Sequence, residues 1–166
     1  MPSTPRSIVV SLGLVVAAAA TQAAGTVTVS YVQPEKFSDA GNSRRDAETN
    51  LKDMTGHFEA LAAKHLADGQ KLSIEILDVD LAGEVRPMRR SGQDLRVLKG
   101  KADWPHIKLR YTLEAAGQAA RSAEVNVADM GYLQRIPKGQ TGDALYYEKR
   151  MLDEWFATQF GSGSTK

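Results

Sequence analysis

The 166-residue sequence contains no cysteine. That excludes disulfides, thiol catalysis and cysteine-ligated metals, and also a lipid anchor attached through an N-terminal cysteine. An excess of charge of either sign is missing as well, since 21 Lys and Arg stand against 20 Asp and Glu. A dedicated nucleic-acid binder needs a basic surplus, so no nucleic acid is expected as a partner. Long hydrophobic runs are lacking too. The apolar stretch Ile8–Ala20 falls short of the roughly 20 residues that a bilayer span requires.

That stretch has a different reading. Arg6 precedes it, small residues follow it, and no acidic residue occurs before Glu35. This is the layout of a secretory signal peptide, expected over residues 1–24 with cleavage after Ala23 or Ala24, Ala20 being an alternative site. An uncleaved membrane anchor is the competing reading. The expected location is therefore the periplasm, with no transmembrane span in the mature protein. Removing the leader leaves basic and acidic residues balanced at 20 each. Residues 25–160 have the length of one domain able to bury its own core, and 161–166 (GSGSTK) read as a disordered tail.

Periodicity places the elements. VTVSYV (27–32) alternates as a strand. Ser43 followed by Asp46 resembles a capping box and opens a helix from Arg44 to Leu66. Its residues Leu51, Met54, Phe58, Leu61, Ala62 and His65 share one arc, and Gly69 marks the stop. HIKLRYTLE (106–114) is a clean alternating strand, and AAGQ turns it back into AARSAEVNVAD as a hairpin. EVRPMRRSGQ reads as an exposed loop and DLRVLKG as a short strand. A second helix spans Asp143 to Phe160, with Leu145, Met151, Leu152, Trp155 and Phe156 on its apolar side. The order β-α-β-β-β-β-α predicts an α+β two-layer sandwich, with two helices on one face of a mainly antiparallel sheet of about five strands. The pairing direction of the first strand is left open.

The stretch ILDVDLAGEV (76–85) carries the most pointed question, because its apolar phase slips. In an unbroken strand Asp78 and Asp80 would share the core face with Ile74 and Ile76, at a cost of several kcal/mol. A bulge near Ile76 and Leu77 turns both carboxylates outward instead. As a calcium loop the stretch fails at Ala82 and Arg89, and as a DxD motif it is too short to be specific. The favoured reading is that the aspartates solvate a strand end and bond the turn before Gly83. A polar cluster of Asp78, Asp80 and Asp129 is the functional counterpart.

Other candidates are fewer. Between Glu84 and Lys101 the chain carries Arg86, Arg89, Arg90, Arg96, Lys99 and Lys101 against Glu84 and Asp94, a local surplus of positive charge. With Lys108 and Arg110 on the open sheet face, it could meet an anionic envelope lipid or glycan, or an envelope protein. The plain alternative is a solvated loop that keeps an edge strand from pairing. His57 and His65, eight positions apart, cannot chelate one ion from a helix. No H-E-x-x-H, G-x-S-x-G or phosphate loop occurs, so no cofactor, metal or catalytic residue is assigned. Glu148 falls on the apolar stripe of the second helix. It either pairs with a basic group at the sheet edge or lies beyond the buried turn, and the second reading is preferred.

The segments VTVSYVQPEKFSD, LSIEILDVDLAGEV, LRVLKGKADWPHIKLRYTL, ADMGYL and YYEKRMLDEWF resemble a proteobacterial family of exported proteins known as domain of unknown function 3016. The resemblance runs from about Val27 to Phe160. It implies a Gram-negative, envelope-located protein and carries no activity or site residue with it. The expected function is a non-catalytic binding or accessory module of the envelope. The alternatives are a hydrolase using Asp78 or Asp80 with His106 or His65, and a purely structural envelope role.

Overall fold

Alternation decides the sheet. In HIKLRYTLE, Ile107, Leu109, Tyr111 and Leu113 are buried while Lys108, Arg110 and Glu114 are exposed, so one face is dry and the other wet. The computed structural model describes residues 24–87, 94–100, 102–135 and 142–161. The leader, most of the tail, Arg89, Arg90 and Lys101 lie outside them. The elements are β1 (Thr26–Tyr31), α1 (Arg44–His65), β2 (Lys71–Asp80), β3 (Glu84–Pro87), β4 (Asp94–Val97), β5 (His106–Glu114), β6 (Arg121–Ala128) and α2 (Tyr146–Phe160). A four-stranded sheet has the order β1-β2-β5-β6, and β3 pairs with β4 in a separate two-stranded ribbon. β1 runs parallel to β2, whereas β2–β5 and β5–β6 are antiparallel.

The two-layer α+β architecture stands, with one redistribution. The expected sheet of about five strands is four strands plus the ribbon, and Glu84–Pro87, read as loop, is strand β3. Four residues with one apolar side chain between charges leave no period to read. Gly83 diverts the chain from β2. Its φ of +85° suits glycine, and an added Cβ would meet the Val97 carbonyl oxygen at 2.7 Å, so only glycine fits. The second helix also starts three residues later than its pattern suggests. Asp143 Oδ1 accepts from Leu145 N at 2.9 Å and the Asp143 carbonyl from Tyr146 N at 3.2 Å, so a turn occupies 143–145.

The cap of α1 and the bulge in β2 are as expected. Asp46 N donates to Ser43 Oγ at 3.1 Å, capping α1. β2 carries its irregularity between Ile76 and Asp78, with Ile76 facing Leu109 and Asp78 facing Lys108. Leu77 is therefore the extra residue. Past it, Val79 is buried, and Asp78 and Asp80 share the open face with Lys108 and His106.

Both helices cover the dry face. Met54, Phe58, Leu61 and Ala62 of α1 and Met151, Leu152, Phe156 and Phe160 of α2 join Leu72, Ile74, Ile76, Val79, Ile107 and Leu109 in one core. The helices are also tied to each other, since His57 Nε2 lies 2.9 Å from Asp153 Oδ1 and the His65 ring 5.9 Å from that of Phe156. Phe156 is fully buried and packs against Phe160 at 4.8 Å between centroids, the rings inclined by 60°. Phe156→Ala is expected to cost about 3–5 kcal/mol. Urea unfolding should show a lower midpoint at unchanged slope.

Candidate functional site

The end of β2 gathers more ionisable groups than any other place among the described residues. It does so because the chain after β1 returns there. Asp39 forms a parallel bridge with Asp80, with Asp39 N donating to the Val79 carbonyl at 2.8 Å and Leu81 N to the Asp39 carbonyl at 3.1 Å. Asp78 fastens the same loop from the side, its two carboxylate oxygens accepting from Ser38 N at 2.7 Å and Ser38 Oγ at 2.8 Å. Asp78 thus clamps the loop after β1, which corrects the expectation that it bonds the turn before Gly83.

Asp80 is the freer of the pair. Its Oδ2 lies 3.6 Å from His106 Nε2, both side chains being about a third exposed. Desolvation pushes its carboxyl above the ordinary range, opposed by His106 and reinforced by Asp39 and Asp78. His106 Nδ1 is buried with no hydrogen-bond partner among the described residues. A half-buried acid beside an imidazole can pass a proton. No serine or threonine oxygen is bonded to either group among the described residues, and those residues contain no cluster of three or more metal-ligating side chains.

Asp39 and Arg96 close the other flank. Arg96 Nη2 meets Asp39 Oδ2 at 3.1 Å, and its Nη1 donates to the Ala82 carbonyl at 2.9 Å. The amide of the same Ala82 donates to Glu148 Oε1 at 2.7 Å. Glu148 is only 2% exposed, which corrects the expectation that it lies beyond the buried turn. It stays on the apolar stripe because it caps a backbone N–H that the chain leaves unsatisfied where β2 ends.

The remaining sequence candidates are spread apart. Arg86 and Lys99 both pair with Glu84. On the open face Arg110 bridges Glu75 and Glu124, each at 2.9 Å, and Lys108 meets Glu124 at 2.9 Å. Asp129 makes contacts separate from those of Asp78 and Asp80. Its Oδ2 accepts from Arg150 Nη2 at 3.0 Å, its Oδ1 from Gly131 N at 3.1 Å, which locks the ADMGYL turn onto α2. Arg150 itself went unnoticed in the sequence. It lies 5.9 and 5.6 Å from the ring centroids of Tyr146 and Tyr147, a cation–π arrangement, and the YYEKR spacing was the signal available. Asp39 and the His57–Asp153 pair carried no signal, since a lone acid in a loop has no pattern.

The profile of a family described as "Protein of unknown function (DUF3016)" matches residues 25–158. The chain belongs to the DUF3016 family. A comparison with curated proteins found no match. The DUF3016 match takes in all eight helices and strands apart from the last residues of α2, so β2, the ribbon and the Glu148 contact all fall inside it.

Burial raises the Glu148 carboxyl above its ordinary 4.5, against the lowering effect of the Ala82 N–H, its own backbone N–H and Arg96. A raised folded-state value means that the neutral carboxyl supports the fold. That support is full below the unfolded value and is lost as pH rises through the folded one. Glu148→Gln keeps an acceptor for Ala82 and removes the titration. The melting temperature of the variant relative to the parent is expected to climb between acid and neutral pH. Glu148→Ala orphans the Ala82 N–H and should cost about 1–3 kcal/mol at acid pH, the cost shrinking as pH rises through the folded value. Parallel pH profiles for parent and Glu148→Gln would contradict the assignment.

Proposed function

We propose that this DUF3016 protein is an exported, periplasmic binding or accessory module of a Gram-negative envelope, without catalysis of its own, which meets an anionic envelope lipid or glycan through the β3–β4 ribbon. The ribbon carries the reading. It is a hairpin apart from the main sheet, and its segment Glu84–Lys101 has six basic residues against two acidic ones. Glu84 alone serves both Arg86 and Lys99, so the segment keeps its surplus. Leu95, 51% exposed on β4, adds an apolar contact beside the charges. Lys108 and Arg110, by contrast, are neutralised by Glu75 and Glu124, so the open sheet face is the weaker attractor. Export rests on the signal-peptide pattern of residues 1–24. No helix among the described residues is long and apolar enough to cross a membrane.

Two measurements test this. Expression of the full-length chain in a Gram-negative host should give a periplasmic protein whose mass begins at Ala24 or Gly25. An intact Met1 in the cytoplasm would count against export. The periplasmic product should then float with phosphatidylglycerol vesicles, and much less with phosphatidylcholine alone. Reversing Arg89 and Arg90 to Glu should leave melting unchanged and weaken capture at least tenfold, each basic residue near an anionic surface being worth about 1 kcal/mol. Arg96 is unsuitable for this test, because it holds Asp39 and Ala82.

A second reading, a carboxylate-dependent hydrolase, draws on the approach of Asp80 to His106. Turnover of a fluorogenic ester or glycoside by the parent, lost in Asp80→Asn at unchanged melting, would replace the first reading.

A further inference from the structure

Among the described residues β6 is a sheet edge, paired with β5 on one side only. Asp129 N donates to the Pro105 carbonyl at 3.2 Å, continuing the register in which Ala128 faces His106. In an antiparallel ladder a residue turns both backbone groups to the same side, and the next residue turns both to the other. Arg121, Ala123, Val125 and Val127 therefore spend theirs on β5. Ser122, Glu124, Asn126 and Ala128 point theirs away from it.

This edge has no proline and no bulge, two of the usual protections, and its one charge on the helix side, Arg121, sits at the first position of the strand. Its sequence is RSAEVNVA, and the one acid, Glu124, is held by Lys108 and Arg110. The helix side of the edge is unfinished too. Ala123, Val125 and Trp155 are only half-buried against the core, and a cleft of about 320 Å³ opens between the strand and α2, with Asp129, Glu154 and Trp155 in its lining. The other edge differs. Tyr31 Oη donates to the Leu51 carbonyl at 2.6 Å, closing α1 over β1, and the 640 Å³ cleft nearby is lined by residues between Pro34 and Leu51 and by none of β1.

We propose that β6 pairs antiparallel with β6 of a second copy, about a two-fold axis at Val125, joining the two four-stranded sheets into one. This goes beyond the proposed function and does not depend on it. Parity and charge select the register. With the axis at Val125, Ser122 faces the partner's Ala128 and Glu124 faces the partner's Asn126, so all the outward groups find partners in about eight bonds. With the axis at Glu124, two like charges meet directly, a destabilising pair, and only about six bonds form. The favoured register also sets Val125 against its own copy and Ala123 against the partner's Val127. It carries Arg121 towards the end of the partner's cleft, where Asp129 and Glu154 are already paired with Arg135 and Arg150, so the backbone ladder and the Val125, Ala123 and Val127 contacts carry the interface and no new ion pair is counted. The interface is self-complementary, as a two-fold contact must be.

The absence of native cysteine makes the test unambiguous. At the axis, Val125 and its copy form a non-hydrogen-bonded pair with Cα atoms about 4.5 Å apart, within the reach of a disulfide. Full-length protein, processed as the host leaves it, carries either Val125→Cys or, as the control on β1, Val29→Cys. Under mild oxidation Val125→Cys should form a covalent dimer at least about tenfold faster, because pairing holds the thiols at high effective concentration. Asn126→Pro removes one outward donor and no bond to β5. It should sediment as a monomer at concentrations where the parent is a dimer, with its helical and strand circular dichroism retained. Equal cross-linking rates for the two cysteine variants, or a parent that stays monomeric, would overturn the proposal. So would faster cross-linking of Val125→Cys with Val29→Cys in a mixture, which would put β1 on the edge. Should Asn126→Pro fail to fold, the cross-linking comparison decides alone.

Discussion

Side chains on a strand repeat every two residues. β2 therefore cannot keep both Ile76 and Val79 on the core face unless one residue between them goes unpaired. Leu77 is that residue, and the whole end of the sheet is arranged around it. Ile74, Ile76 and Val79 stay buried, so the two aspartates emerge on the wet face. Asp78 is then positioned to hold Ser38, which lays the loop after β1 along β2 and brings Asp39 beside Asp80. Leu81 and Ala82 turn back under the helices, where Ala82 meets Glu148 and Arg96. Without the bulge, the two carboxylates would enter a core that has no partners for them.

The ionisable groups at this end are bound chiefly to backbone. Asp78 accepts from a Ser38 amide, Glu148 from an Ala82 amide, and Arg96 donates to the Ala82 carbonyl. A buried or half-buried carboxyl or guanidinium group that satisfies main-chain groups fixes where a loop runs, and removing it strands a main-chain group at a cost above the bond's net contribution. The same logic holds Asp129 and Arg150 at the ADMGYL turn. Asp80 stands apart, since its nearest side-chain partner is an imidazole at 3.6 Å and not a backbone donor. The carboxylates on the open face and the ribbon, Glu75, Glu84 and Glu124, pair with side chains in water, where such contacts are weak.

What could be read from the residues follows the same division. Helices and strands with a long period were legible. The Ser43 cap, the stripe on α1, the alternation of β5 and the slip in β2 each left a mark in the sequence. The four residues of β3 left none, and the turn at Asp143 was hidden inside a helical pattern that continues through it. Glu148 was visible as an acid on an apolar stripe, but its partner is a backbone amide 66 positions away, and no side-chain pattern encodes that. Asp39 was invisible for a similar reason. Its place depends on the loop closing on β2, which is a property of the assembled sheet. The basic residues of the ribbon were legible as charge, while their division between free and paired required the fold.

The one parallel pairing in the sheet has a consequence for the order of assembly. β5 and β6 are joined by a tight turn in which Gln118 N bonds the Ala115 carbonyl at 3.1 Å and Gly117 takes a φ of +74°. Such a hairpin closes at small entropic cost. β1, in contrast, reaches β2, its one neighbour among the described residues, by way of the whole of α1, and its parallel ladder forms only after that crossover is closed. The hairpin is therefore expected to nucleate early, with β2 adding next and β1 last. Pulsed hydrogen exchange would read this as protection of β5 amides well before those of β1. The strand first in the sequence would then be the last to join the sheet, so the N-terminal end stays unpaired longest and is the first to open again.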